Sequence, residues 1–216
     1  MGTRRDELFA LARATRGFMP DDEGEALFDA AIEAARAFER ATIVEVGSWC
    51  GKSTVYLGAA AEEAGAVVLS VDHHHGSEEL QEGWEHFDAA LVDPIDGRLN
   101  TLPAFQRTLA DAGLEHCVVG LVGDSVTVAE HVRASSALCF IDGGHGHDVA
   151  WADYAAWVPG VRDGGYLAIH DVFEDPACGG RPPYELYLAA LDDGFTERSA
   201  TGSLRVLQRS ARGAGR

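Results

Sequence analysis

The feature that most narrows the folds open to this chain is a regular alternation of short β-rich runs with helix-length stretches. Thr42–Val46, Val67–Asp72, Cys117–Val122, Ala137–Asp142 and Tyr166–Asp171 are apolar runs of strand length, rich in Val, Ile and Leu. Helical patterns at 52–64, 103–113, 125–133 and 147–158 lie between them. Two more open the chain, at about 4–16 and 23–39, with Asp21 and Asp22 after Pro20 placed to cap the second. Another follows at 184–193. Phe195–Ser199 and Leu204–Gln208, split by Thr201-Gly202-Ser203, read as a closing hairpin. A strand that hands over to a helix returns parallel to itself, so helices cover both faces of one sheet. The expected fold is α/β: a Rossmann-like, doubly wound sheet of seven strands. It is mostly parallel, with an antiparallel C-terminal hairpin and N-terminal helices. Residues 1–40 read as a helical cap segment, 41–210 as one domain and 211–216 as a tail. In such sheets ligands sit at the carboxyl ends of the strands, where strand order reverses.

With 216 residues, 46% of them hydrophobic, the chain can bury a full core. Its 35 acidic residues against 17 basic ones leave a formal charge of −18, which repels phosphate backbones and anionic membranes. Nucleic acid is therefore not an expected partner. No apolar run reaches the roughly 20 residues that span a bilayer. The N-terminal stretch has arginines but lacks the apolar core of a signal peptide, so a cytoplasmic location without membrane insertion is expected. Cys50, Cys117, Cys139 and Cys178 form no Cys-x-x-Cys pair, which suits a reducing compartment and speaks against structural zinc. A homo-oligomer remains open.

The stretch TIVEVGSWCGKST, a buried strand running into a glycine-rich turn and a helix, carries the most chemistry. A P-loop needs four residues between its glycines; here three separate Gly47 from Gly51, and Glu45 would face the phosphates. The Gly-x-Gly-x-x-Gly fingerprint of dinucleotide sites is absent. S-adenosylmethionine fits better, because its sulfonium and ammonium groups welcome nearby acids. On this reading Gly47 and Gly51 permit close backbone approach, and Ser48, Ser53 and Thr54 supply hydroxyls. Glu45 meets the amino acid end, directly or through water. Asp72 accepts hydrogen bonds from the ribose, with His73 beside the adenosine, and Asp124 with Gly123 and Ser125 reaches the adenine edge. Each acid also stands where a helix N-cap would, and for any one of them that plainer role stays open.

The segment between Asp72 and Leu102 is too long for an ordinary connection and is expected to form an ordered lid. His74, His75, Glu78, Glu79 and Trp84 lie in it, and His74, Glu78 and Trp84 are candidate acceptor contacts. Arg181, in GGRPPYE, belongs either to an acceptor-binding loop or to a plain connection. Asp142 ends the fourth predicted strand and His170-Asp171 the fifth, so these three should share the crevice. Neighbouring carboxylates can hold a hard cation such as Mg²⁺, which would lower the pKa of an acceptor hydroxyl. His145 and His170 are the candidate bases.

The pattern Glu-Val-Gly-x-x-x-Gly-x-Ser, with VDHHHGSEE, FIDGGHGHD and GGYLAIHDV, resembles the class I S-adenosylmethionine-dependent methyltransferases. Within that class it is similar to small metal-dependent O-methyltransferases of the macrocin and cephamycin-cluster type, some of which methylate sugar hydroxyls. The similarity spans about 40–210. It implies a metal site at Asp142, His170 and Asp171, where the position of His170 is often acidic; a histidine there leaves room for Mn²⁺, or for no metal. Alternatively, Asp142 orients the methionine part of the cofactor. The implied activity is methyl transfer to a hydroxyl of a small molecule or glycoside, with Asp142, His145 and His170 as the catalytic set. A catechol or phenol acceptor, and a non-catalytic cofactor-binding module, are the alternatives.

Overall fold

The computed structural model describes residues 2–84, 86–175 and 177–211, the side chain of Glu79 excepted. Residues 212–216 of the expected tail lie outside that range. Two helices open the chain, α1 (Arg4–Ala14) and α2 (Asp21–Arg36). Thr3 and Asp6 close a capping box on α1. On α2 the expectation needs correcting. Pro20 is the N-cap, and Asp21, Asp22 and Glu23 occupy the first turn, where negative charge suits the helix dipole.

The chain then alternates as expected: β1 (Thr42–Val46), α3 (Lys52–Ala64), β2 (Val67–Asp72), α4 (Leu102–Ala112), β3 (Val118–Val122), α5 (Ser125–Val132), β4 (Ser136–Ile141), α6 (His147–Trp157), β5 (Val161–Ile169), α7 (Arg181–Asp192), β6 (Phe195–Thr201) and β7 (Leu204–Arg209). They form one seven-stranded sheet in the order β3-β2-β1-β4-β5-β7-β6. β1 to β5 are parallel, and β7 pairs antiparallel with both β5 and β6. The antiparallel strand is thus the inner strand of the hairpin, and β6 forms the edge. β5 begins at Val161, ahead of the expected start, because a register shift opposite Ser136–Leu138 lets the Gly164-Gly165 pair continue the strand.

The two faces of the sheet are read from the strand period of two. On β4, Leu138 and Phe140 join Leu27, Phe28, Val55, Tyr56 and Phe105 under α2, α3 and α4. Cys139 and Ile141 join Tyr154, Trp157 and Leu186 on the opposite face. All six residues of β4 are buried, as a central strand covered on both sides should be. The turn from β1 to β4 marks the reversal of strand order, and the carboxyl ends of both strands open there. No described helix is long and apolar enough to cross a membrane.

Candidate active site

The loop after β1 is held by backbone geometry and by one carboxylate. Gly47 has φ +87°, and a Cβ there would stand 2.2 Å from the carbonyl oxygen of Asp142. Only glycine lets the ends of β1 and β4 come so close. Asp72 Oδ2 accepts the N–H groups of Ser48 and Trp49, each at 2.9 Å, and Oδ1 accepts that of His74 at 2.7 Å. Trp49 and His74 both adopt left-handed backbone, which this clasp stabilises. Gly51, with φ +93°, is the N-cap of α3.

Glu45 lies elsewhere than expected. Strand alternation turns it away from the crevice and beneath the first turn of α3, where it is fully buried. Its carboxyl accepts hydroxyl bonds from Ser53 (2.6 Å), Thr54 (2.7 Å) and Ser70 (2.6 Å). Burial pushes this carboxyl up to about 7, against the opposing pull of those hydroxyls. Glu45 and Thr54 therefore brace the loop from behind, and a cofactor's amino acid end has no direct route to them.

In front of the loop lies a crevice of about 960 Å³. Of the expected cofactor residues, Gly47, Ser48, Ser53, Asp72, His73, Gly123, Asp124, Ser125 and Asp142 line it; Glu45, Gly51 and Thr54 do not. Asp124 serves first as the N-cap of α5, its Oδ1 accepting Thr127 N–H at 2.9 Å and Thr127 Oγ1–H at 2.8 Å. For this residue the plainer cap role holds. Ser125 Oγ accepts the Trp157 indole N–H at 2.8 Å. The expected acceptor contacts need correcting, because none of them faces the crevice. His74 is buried with Nδ1 2.8 Å from Thr101 Oγ1. Glu78 is exposed in a short 3-10 turn, and Trp84 is exposed. Arg181 is the first residue of α7 rather than part of a loop; it lies over the Tyr184 ring and pairs with Glu185 at 3.5 Å.

At the other end of the crevice the ends of β4 and β5 bring Asp142, His145, His170 and Asp171 together. His170 Nδ1 sits 3.0 Å from Asp142 Oδ1 and 3.3 Å from Asp171 Oδ2. Its Nε2 sits 2.7 Å from Oε2 of Glu23, which reaches in from α2. Glu23 Oε1 also accepts the Ser203 N–H at 2.7 Å, from the turn between β6 and β7. His145 Nε2 lies 3.3 Å from Asp171 Oδ2. Burial would lower the pKa of His170, but the Asp142 charge and the bonds to Asp142, Asp171 and Glu23 outweigh it and hold the ring far above the usual histidine range. Burial of Asp171 is likewise outweighed, by its bonds from His145 and His170, so its carboxyl sits well below the usual range.

A family model described as a methyltransferase domain matches residues 44–172, more than half of the chain. The chain belongs to the methyltransferase-domain family. The fold of this methyltransferase is also that of solved O-methyltransferases. The O-methyltransferase NovP is 18% identical, with a TM-score of 0.67 over 88% of this chain and 80% of NovP. An O-methyltransferase from Bacillus cereus in complex with SAH is 14% identical, with a TM-score of 0.62 over 97% of this chain and 92% of its own. The calicheamicin methyltransferase CalS11 is 16% identical, with a TM-score of 0.58 over 95% and 91%.

Asp142, His170 and Asp171 offer ligand atoms within 4.8 Å of one another, the spacing a cation needs. Two carboxylates and one imidazole make up the donor set. Glu23 accepts bonds from Ser203 on both oxygens and is therefore a charged acceptor. Nε2 of His170 must then be the donor in its bond, and Nδ1 faces two further carboxylates. With Nε2–H given to Glu23, Nδ1 is the nitrogen that faces Asp142 and Asp171, and the three residues could hold a cation. Sequence reasoning missed two acids at the methyltransferase crevice. Glu23, behind His170 and outside the lining, is one. Asp153 of α6 is another, buried against Gly143, where a Cβ would stand 2.8 Å from its Oδ2. Burial pushes the Asp153 carboxyl up, against the pull of a Ser125 hydroxyl bond. Both acids fall at core-facing helical spacing, Glu23 with Leu27, Ala31 and Ala34, and Asp153 with Ala150, Tyr154 and Trp157. A charge on an apolar stripe is the signal that would have found them.

Proposed function

We propose that this methyltransferase moves the methyl group of S-adenosylmethionine to a hydroxyl of a small molecule or sugar unit, with His145 as the base. The observation that carries the reading is the single crevice that joins the clasped Asp72 loop to the acidic end at Asp142 and Asp171. Acids at both ends suit a nucleoside bearing a sulfonium and an ammonium and oppose a nucleotide polyphosphate. Asp72, with one oxygen bonded to two loop amides, keeps lone pairs that can accept ribose hydroxyls. Ser125 and the buried Asp153 flank the place of the base.

In the reaction the acceptor oxygen attacks the methyl carbon as the sulfur–carbon bond breaks. The electron pair of that bond stays on sulfur, leaving a neutral thioether, and the hydroxyl proton passes to the His145 ring. Asp171 is in place to stabilise the imidazolium that forms. Asp142 lines the crevice beside Asp171 and can accept a hydrogen bond from another polar group of the acceptor, which aligns the reacting hydroxyl for in-line attack. The charge of −18 favours a neutral or cationic small acceptor over nucleic acid. The four cysteines are free, three of them buried, as suits a reducing cytoplasm.

A phenolic acceptor is the second reading, because Phe18, Trp49 and His86 gather on the crevice wall, with Phe18 ring distances of 5.9 Å to Trp49 and 5.0 Å to His86. Calorimetry with S-adenosylmethionine, SAH, ATP and NAD tests the cofactor. Heat is expected with the first two alone, and silence with both sinks the reading. Methylation of a catechol but of no glycoside in an acceptor panel would select the phenolic alternative.

A further inference from the structure

We infer, resting on the methyl-transfer reading, that Lys52 receives the carboxylate of the cofactor's amino acid end and makes this methyltransferase select the intact cofactor over its decarboxylated form. Glu45, the residue expected at that end, is buried behind the β1–α3 loop with its oxygens taken by Ser53, Thr54 and Ser70. The amino acid end of S-adenosylmethionine carries an anion as well as a cation. Asp72, Asp124, Asp142, Asp153 and Asp171 all line the crevice. Such a lining draws the sulfonium and the ammonium inward but repels the carboxylate. A positive group must offset that repulsion at one place.

Lys52 is the only lysine of the chain, and the only lysine or arginine among the described residues that line the crevice. It is the first residue of α3, directly after the glycine loop, and its neighbour Ser53 shares the lining. The Lys52 side chain is 12% exposed. Gly17, between α1 and α2, lies against its stem, and a Cβ at Gly17 would stand 2.8 Å from Lys52 Cβ. A stem packed in this way has little freedom left to lose when the ammonium takes a ligand. Nζ pairs with Asp21 Oδ1 at 3.3 Å, and Asp21 is itself half exposed. Asp21 can turn to water, so the pair yields to a ligand carboxylate at small cost. The histidines of the lining face elsewhere. His145 and His170 face Asp171, His73 Nδ1 accepts the His75 N–H at 3.0 Å, and His86 lies against Phe18. A plain tether between α2 and α3 would also account for the pair of Lys52 with Asp21, and ligands that differ only at the amino acid end separate the two roles.

The test is calorimetry with SAH, its decarboxylated form, and 5′-methylthioadenosine, which lacks the amino acid end. Wild type should bind SAH at least about 10-fold more tightly than the decarboxylated form. Lys52→Met should weaken SAH by about 10–100-fold, the loss expected of a bond between charged groups, and leave the other two ligands level. Lys52→Arg should keep most of the preference. Asp21→Asn, which frees the ammonium, should bind SAH at least as well as wild type does. A tether would show a loss for every ligand in both Lys52→Met and Asp21→Asn, and that result overturns the inference. Equal wild-type affinity for SAH and its decarboxylated form does so as well, whether or not the variants fold, and leaves the methyl-transfer reading standing. No heat with any of the three ligands sinks both.

Discussion

Two residues at this site titrate in ways that can be measured. The carboxyl of Glu45 stands at about 7, above its ordinary 4.5, because burial favours the neutral form. Between those values the folded chain holds a proton that the unfolded chain has released, so stability falls as pH rises through that window and is then level. Thermal melts of Glu45→Gln, which is uncharged at every pH, should lose this slope between about pH 5 and about pH 7. An unchanged slope would assign it to another group. The raised His170 adds its own loss, but only above its ordinary value of 6.5, as the unfolded ring alone gives up its proton. At the crevice surface, His145→Ala should lower kcat by about 10²–10⁴-fold while SAH affinity stays level. Full turnover in that variant would remove His145 as the base.

At the scale of elements, the β1–α3 loop depends on Asp72 at the end of β2. Asp72→Ala strands three N–H groups, those of Ser48, Trp49 and His74. It should cost about 1–3 kcal/mol of stability for each donor left buried and unpaired, and SAH binding should weaken with it. Denaturant unfolding and calorimetry read the two effects, and retention of both would show that the loop holds itself. Gly47→Ala should be worse, since its methyl group meets main chain rather than a movable side chain.

The sequence made most of these elements legible because the strand runs are apolar and the helices between them keep a 3.6-residue period. It also made Asp72, Asp142 and Asp171 legible, because strand ends in such a sheet point one way. Less could be read where a side chain answers to a distant element. Glu45 follows strand alternation to the α3 face, although its position before the glycines suggests a ligand contact. His74 turns inward to Thr101, and Arg181 is drawn onto its own helix by Tyr184 and Glu185. Glu23 announces itself only as an acid on an apolar stripe, and what it binds lies 147 residues away.

Across the whole molecule, Glu23 joins parts of the chain that no single element spans. Glu23→Ala removes one end of a buried charged network and should cost about 3–5 kcal/mol, read as a lower melting temperature at neutral pH. A loss near zero would mean that His170 finds other partners. Glu23→Gln, which keeps an oxygen for Ser203, should lie between that variant and wild type. The surface pairs of α1, Arg4 with Glu62 and Arg5 with Glu63, should by comparison contribute about 0–1 kcal/mol each.

The bond from Glu23 to the turn at Ser203 also has a temporal consequence. Synthesis delivers α2 early and the β6–β7 turn late, after every strand of the parallel half has left the ribosome. Until that turn arrives, Glu23 lacks both of its Ser203 donors and β5 lacks its neighbour β7. A nascent chain thus carries its β1–α3 loop before the contacts behind His170 can form, and the site is finished only once the β6–β7 turn has been made.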